Sequence, residues 1–214
     1  IETLGKLAKK HDLYLLADEV YREFIYGDAK HFSVMELEGL DQNCILVDSV
    51  SKRYSACGFR IGAMISKNKQ VMAAAMKFAQ ARLSPPTFGQ VASEAAIETP
   101  ESYFTEVKAE YVARRNVVVE AINKMEGAFC PNPKGAFYVV ARLPIDDSDK
   151  FCQWLLEDFN LNGDTVMLAP ATGFYSTPGM GKDEVRISYV LNVNDMKRSM
   201  EILEAAVKAY PGRK

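Results

Sequence analysis

The run Ser49-Val50-Ser51-Lys52, followed by Gly58-Phe59-Arg60, places two hydroxyls, a primary amine and a guanidinium within twelve residues. It follows the apolar run Cys44-Ile45-Leu46-Val47, which has the length and character of a short buried strand. In open α/β sheets, ligands sit beyond the carboxyl ends of strands. Lysine at such a strand end can form a Schiff base with a carbonyl. Serine hydroxyls and a fixed arginine fork suit the oxygens of a phosphate. Together these residue types fit an aldehyde that carries a phosphate. Taken singly, Lys52 is an ordinary solvated lysine and Arg60 an ordinary surface ion-pair partner.

A second constellation, Ala17-Asp18-Glu19-Val20-Tyr21, ends another apolar run, Leu13-Tyr14-Leu15-Leu16-Ala17. A carboxylate there can face the same crevice as Lys52. Pyridoxal phosphate requires an acidic partner on its ring nitrogen, because the ring acts as an electron sink only while that nitrogen stays protonated. Tyr21, three residues beyond Asp18, is placed to hydrogen-bond the phenolic oxygen of such a ring. Arg186, in Val185-Arg186-Ile187-Ser188, is a charged residue inside an apolar strand pattern. Arginine is rarely buried without a partner. On residue type alone a structural ion pair is its commoner use, and carboxylate binding is the alternative.

These segments, together with Pro133-Lys134-Gly135-Ala136-Phe137-Tyr138 and Pro170-Ala171-Thr172-Gly173-Phe174, follow one another in an order that resembles the fold-type I, class I/II pyridoxal-phosphate-dependent aminotransferases, in particular aspartate-aminotransferase-like members. The resemblance covers nearly the whole chain. It implies pyridoxal 5'-phosphate as cofactor, carried by Lys52, which is also the proton carrier. It implies Asp18 on the ring nitrogen, Tyr21 on the phenolic oxygen, and Ser49, Ser51 and Arg60 on the phosphate. Arg186 then takes the α-carboxylate of the substrate. The implied partners are an amino acid, a 2-oxo acid and a second subunit in a homodimer. Another fold-type I enzyme, such as a carbon–sulfur lyase, would use the same Lys52, Asp18 and Arg60. A non-catalytic domain that retains the fold is the reading from a different class.

The chain opens on Ile1 with apolar residues at 1, 4, 7 and 8, a helical spacing that starts without a cap. Against the resembled family it is therefore expected to be the C-terminal portion of a longer aminotransferase. The family's glycine-containing phosphate loop, its ring-stacking aromatic and the asparagine on the phenolic oxygen would all precede Ile1. The 214 residues alone are expected to lack transaminase activity.

Composition bounds the alternatives. The 214 residues are 48% hydrophobic and 25% charged, with a net charge of -2. Nothing in that balance points to nucleic acid or a membrane surface. No apolar run approaches the roughly 20 residues that span a bilayer, and the start has no secretory pattern. Cys44, Cys57, Cys130 and Cys152 are scattered, and His11 and His31 are isolated, so neither a zinc site nor a disulfide framework is expected. Free thiols in a reducing cytoplasm are the economical reading.

The expected architecture is an α/β remnant of a large cofactor-binding sandwich domain, residues 1–99, followed by a linker helix and a small α+β C-terminal domain, residues 100–214. Strands are expected at 13–17, 44–48, 60–65, 136–143, 166–169 and 185–190. Asn68 caps a helix to about Arg82, with Met72, Met76 and Ala79 expected in the core. A second helix runs from Thr87 to about Glu98. Thr99-Pro100-Glu101 starts a long helix to about Met125. Asp146-Asp147-Ser148 is expected to cap helix 149–159. Asn194 is expected to cap a final helix whose Met196, Met200, Leu203 and Val207 form an apolar stripe.

Overall fold

The computed structural model describes all of residues 1–214. They form two compact units, residues 1–104 and 105–214.

The first unit opens with helix α1, Glu2–His11, which ends at Asp12 in a left-handed turn. Strand β1, Leu15–Asp18, follows, and a short 3-10 turn at Val34–Glu36 leads to β2, Cys44–Ser49. Next come the four-residue helix α2, Val50–Arg53, and strand β3, Gly62–Ile65. Helices α3, Lys69–Arg82, and α4, Thr87–Ala95, complete the unit. The sheet has the order β1-β2-β3. β1 runs parallel to β2, with Asp18 opposite Val47; β3 runs antiparallel, with Gly62 opposite Ser49. Parallel pairing brings the carboxyl ends of β1 and β2 to one edge. Beneath the sheet, Ala8, Val34, Leu37, Leu40, Cys44 and Leu46 form the core. Gly5 lets α1 come close: a Cβ there would lie 3.1 Å from Leu37 and Leu40 side-chain carbons.

Helix α5, Glu101–Lys124, runs from the first unit into the second. The second unit then has β4, Tyr138–Arg142, helix α6, Ser148–Glu157, β5, Ala169–Pro170, β6, Glu184–Ser188, and helix α7, Val193–Ala209. Its sheet is antiparallel in the order β4-β6-β5. One side packs on α5, α6 and α7 through residues such as Ile122, Val139, Phe151, Leu155 and Ile187. The stripe Met196, Met200, Leu203 and Val207 is buried as its spacing predicts. Trp154 sits against Phe151, Phe159 and Tyr210.

Four expectations need correction. Met72, Met76 and Ala79 are not core: α3 has no buried residue. Its Phe78 is 78% exposed, and Phe88 of α4 is 90% exposed. Periodicity identifies which side of a helix is apolar; it does not reveal whether anything covers that side. Second, the last helix is capped by Asn192, whose Oδ1 accepts from the backbone N–H groups of Asn194 and Asp195. Asn194 lies inside the first turn. Third, the strand expected at 166–169 pairs with β6 only at Ala169 and Pro170. Thr165 Oγ1 donates to the Leu155 carbonyl at 2.6 Å and ties the preceding residues to the end of α6. Fourth, the strand expected at 136–143 begins at Tyr138, because Ala136 turns through a positive φ of 59°.

No helix is long and apolar enough to cross a membrane. All four cysteines are free thiols, and Cys57 alone among them is exposed.

Candidate functional site

The carboxyl edge of β1 and β2 gathers the first group of residues. β2 stops after Ser49, which still pairs with Gly62 in extended conformation and is at the same time the N-cap of α2. Its Oγ accepts from the Ser51 N–H at 3.1 Å, which satisfies one of the orphan donors of the helix start. The same Oγ lies 2.8 Å from the Ser51 hydroxyl and 2.8 Å from the Ile61 carbonyl. A serine has one proton to give. Ser49 therefore donates to Ile61 and accepts from Ser51, so its hydroxyl shapes the loop as well as facing the site.

Lys52 is the third residue of α2 and is half-buried. Its Nζ stands over the Tyr21 ring, 5.8 Å from the centroid. Tyr21 comes from the turn that follows β1. That turn is closed by Arg22 N–H to the Glu19 carbonyl and Phe24 N–H to the Tyr21 carbonyl. The Tyr21 ring meets the Phe24 ring edge-on at 6.3 Å.

Asp18 ends β1 with an exposed carboxylate whose Oδ1 accepts from the Val20 N–H at 3.2 Å. Its neighbour Glu19 is buried. The Glu19 carboxylate accepts from Ser33 Oγ at 3.0 Å and Val34 N–H at 2.9 Å, and meets His31 Nε2 at 2.8 Å. Glu19 thus fastens the strand end that presents Asp18 to the 31–34 segment. Sequence reasoning passed over Glu19; the signal was an acid at a strand end followed twelve residues later by His31-Phe32-Ser33.

Arg60 lies in the same loop but is exposed and left-handed, with φ of 56°. Its Nη1 donates to the Cys57 carbonyl at 2.8 Å. The structure thus brings Lys52 to Tyr21 and Ser49 to Ser51, and turns the Arg60 guanidinium back on its own loop.

Arg186 belongs to the second unit, on β6 opposite Val140 and Ala169. Its guanidinium carbon is 5.0 Å from the Phe174 ring centroid and 5.5 Å from that of Tyr138. The buried Nε has no hydrogen-bond partner, and no carboxylate stands at ion-pair distance. The structural ion pair that residue type alone favours is absent. Phe174 and Tyr138 lie in segments whose order suggested the family, but their role as the rings that flank Arg186 was not legible from spacing.

In chemistry the donor set fits a phosphorylated aldehyde. A half-buried primary amine lies beside an aromatic ring, a hydroxyl pair lies at a helix start, and a carboxylate lies at a strand end. The unpartnered Arg186 fork fits a carboxylate.

The family model for aminotransferase class I and II matches residues 1–203. The chain is 32% identical over 211 residues to an aspartate aminotransferase of Pyrococcus horikoshii, covering 97% of this chain and 51% of that protein. It is 29% identical over 213 residues to aromatic-amino-acid aminotransferase 2 of Thermococcus litoralis, covering 97% and 52%. The crystal structure of an aspartate aminotransferase from Thermotoga maritima superposes with a TM-score of 0.82 at 28% identity, over 97% of this chain and 51% of that one. The chain spans about half the length of the curated relatives it matches. It belongs to the class I and II aminotransferase family.

Proposed function

We propose that this chain carries the lysine-bearing part of a pyridoxal-phosphate-dependent aminotransferase that exchanges an amino group between an amino acid and a 2-oxo acid. The observation that carries the proposal is the Lys52 amine held over the Tyr21 ring, at the shared carboxyl edge of β1 and β2. Bound there, pyridoxal 5'-phosphate supplies an electron sink for the charge left on the substrate α-carbon.

The chain's own residues then have distinct tasks. Lys52 anchors the cofactor covalently and, once released, moves a proton to and from the α-carbon. Asp18 keeps the ring nitrogen protonated, and the Tyr21 hydroxyl donates to the phenolic oxygen. Ser51 and the start of α2 take phosphate oxygens, and Ser49 orients Ser51 for that task. Arg60 joins them by leaving the Cys57 carbonyl. Arg186, flanked by two rings and without an ion pair, takes the α-carboxylate through its fork.

The names of the relatives support aspartate-type or aromatic amino donors. A cytoplasmic homodimer, with residues 1–99 in the cofactor domain and 100–214 in the linker and small domain, completes the proposal. Residues 1–214 alone are proposed to be inactive. Turnover on the order of 10 per second from them alone would overturn that part.

The test is an assay of the full-length protein with aspartate and aromatic amino acids as donors and several 2-oxo acids as acceptors. Amino transfer supports the proposal. Release of ammonia or sulfide without transfer identifies a lyase instead, and no reaction with any donor favours a non-catalytic domain.

A further inference from the structure

Lys52 rides on a helix of only four residues, too short to fix its own orientation, since most helical stability comes from packing against other parts of the fold. Its start is held by Ser49. Its end is held by Arg53, the residue after Lys52, through a cluster of four charges. Arg53 Nη2 donates to Asp48 Oδ2 at 2.8 Å, and Arg53 Nε stands 3.2 Å from Glu23 Oε1, an ion-pair contact without hydrogen-bond geometry. Arg22 completes the cluster, 3.7 Å from Asp48 Oδ2 and 3.9 Å from Glu23 Oε1. Asp48 also accepts from the Ser49 N–H at 2.8 Å, at the point where β2 ends. The side chains of Asp48 and Arg53 are only 15% and 21% exposed, so solvent screens their pair less than a surface pair.

The cluster grips two segments at once. Arg22 and Glu23 directly follow Tyr21 on the turn after β1; Asp48 and Arg53 flank the stretch that contains Lys52. Those are the two segments whose side chains meet when Lys52 Nζ lies over the Tyr21 ring.

We propose that Arg53 is a positioning residue, which clamps the Lys52 helix to the Tyr21 turn through Asp48 and Glu23. It sets where the lysine amine stands relative to the cofactor. The inference rests on the reading of Lys52 as the cofactor-bearing residue. The clamp uses Arg53 in two ways: Nη2 hydrogen-bonds Asp48, while the charge at Nε attracts Glu23 at ion-pair distance.

The experiment uses the full-length protein with saturating pyridoxal 5'-phosphate. Bond formation between Lys52 Nζ and the aldehyde carbon, with loss of water, is trapped by borohydride reduction to a stable amine and quantified by peptide mapping. Arg53→Met is expected to slow the appearance of trapped Lys52 at least tenfold at saturating cofactor, in protein that remains folded by circular dichroism. Arg53→Lys should recover part of the rate. Glu23→Gln should act in the same direction as Arg53→Met, and the two together should fall short of additive. A change confined to thermal stability, with wild-type trapping, would mark the cluster as structural and overturn the proposal. If Arg53→Met does not fold, Glu23→Gln decides: wild-type trapping in that variant overturns the proposal. A wild-type protein that yields no labelled Lys52 overturns both this proposal and the reading beneath it. A labelled wild type with unaffected variants overturns this proposal alone.

Discussion

Lys52 Nζ lies 5.8 Å from the centroid of the Tyr21 ring, although the two residues are thirty-one positions apart in the chain. The contact exists because β1 and β2 run parallel, and β1 ends at Asp18 opposite Val47, two residues before β2 ends at Ser49. Ser49 then starts a helix at once, which sets Lys52 on the side where the turn after β1 delivers Tyr21. A change that moves either strand end moves the amine away from the ring.

Ser49 caps α2 and also bonds the Ile61 carbonyl. Ser49→Ala removes both contacts and is expected to lower stability by about 0.5–2 kcal/mol, the usual cost of a lost cap. Denaturant unfolding measures it. A stability unchanged from wild type would show that neither the cap nor the Ile61 bond contributes measurably to folding.

Arg186 has ring contacts but no ion pair. Arg186→Met therefore leaves no carboxylate stranded and is expected to change stability by less than about 1 kcal/mol, since methionine keeps an unbranched apolar stem against Phe174 and Tyr138. Arg186→Lys loses the fork and should lower kcat/KM at least tenfold, about 1.4 kcal/mol of transition-state stabilisation. Cofactor affinity should stay close to wild type in both variants. Near-normal kinetics in Arg186→Lys would remove the carboxylate role.

Gly89 allows α4 to touch the loop that holds Arg60. A Cβ at residue 89 would stand 2.6 Å from the Phe59 carbonyl oxygen and 3.2 Å from Ile61. Backbone on one side and helix on the other leave little room to yield. Gly89→Ala is expected to cost about 1–3 kcal/mol, as overpacking does, and to weaken binding of pyridoxal 5'-phosphate by displacing Arg60. Equilibrium unfolding and a cofactor titration read the two effects.

Burial pushes the Cys130 and Cys152 thiols up from 9.0 to about 11. The folded state favours the protonated form, so the unfolded chain releases these protons first as pH rises. Their contribution to stability is complete below pH 9.0 and is lost between there and about 11. The urea midpoint should fall across that window. Cys57, the exposed thiol, should react with a thiol reagent in the native state before the other three.

The sequence showed the strand ends, the lysine helix and the apolar stripe of α7, because each has a local signal: an apolar run, a cap or a period. It could not show that α3 lies open, because Met76 and Phe78 reveal an apolar side and not its cover. Nor could it show that Arg60 bonds the Cys57 carbonyl, since a loop arginine has many rotamers and its partner is chosen by the local turn. The clamp of Arg53 on Asp48 and Glu23 was hidden for a related reason: Glu23 is distant in sequence, and only the parallel pairing of β1 and β2 brings it near.

The central claim is that Lys52 holds the cofactor. The most direct measurement is borohydride reduction of the full-length protein loaded with pyridoxal 5'-phosphate, followed by peptide mapping. The reduced cofactor is expected on the peptide that carries Ser49-Val50-Ser51-Lys52, attached to Lys52. Attachment to any other lysine would contradict it.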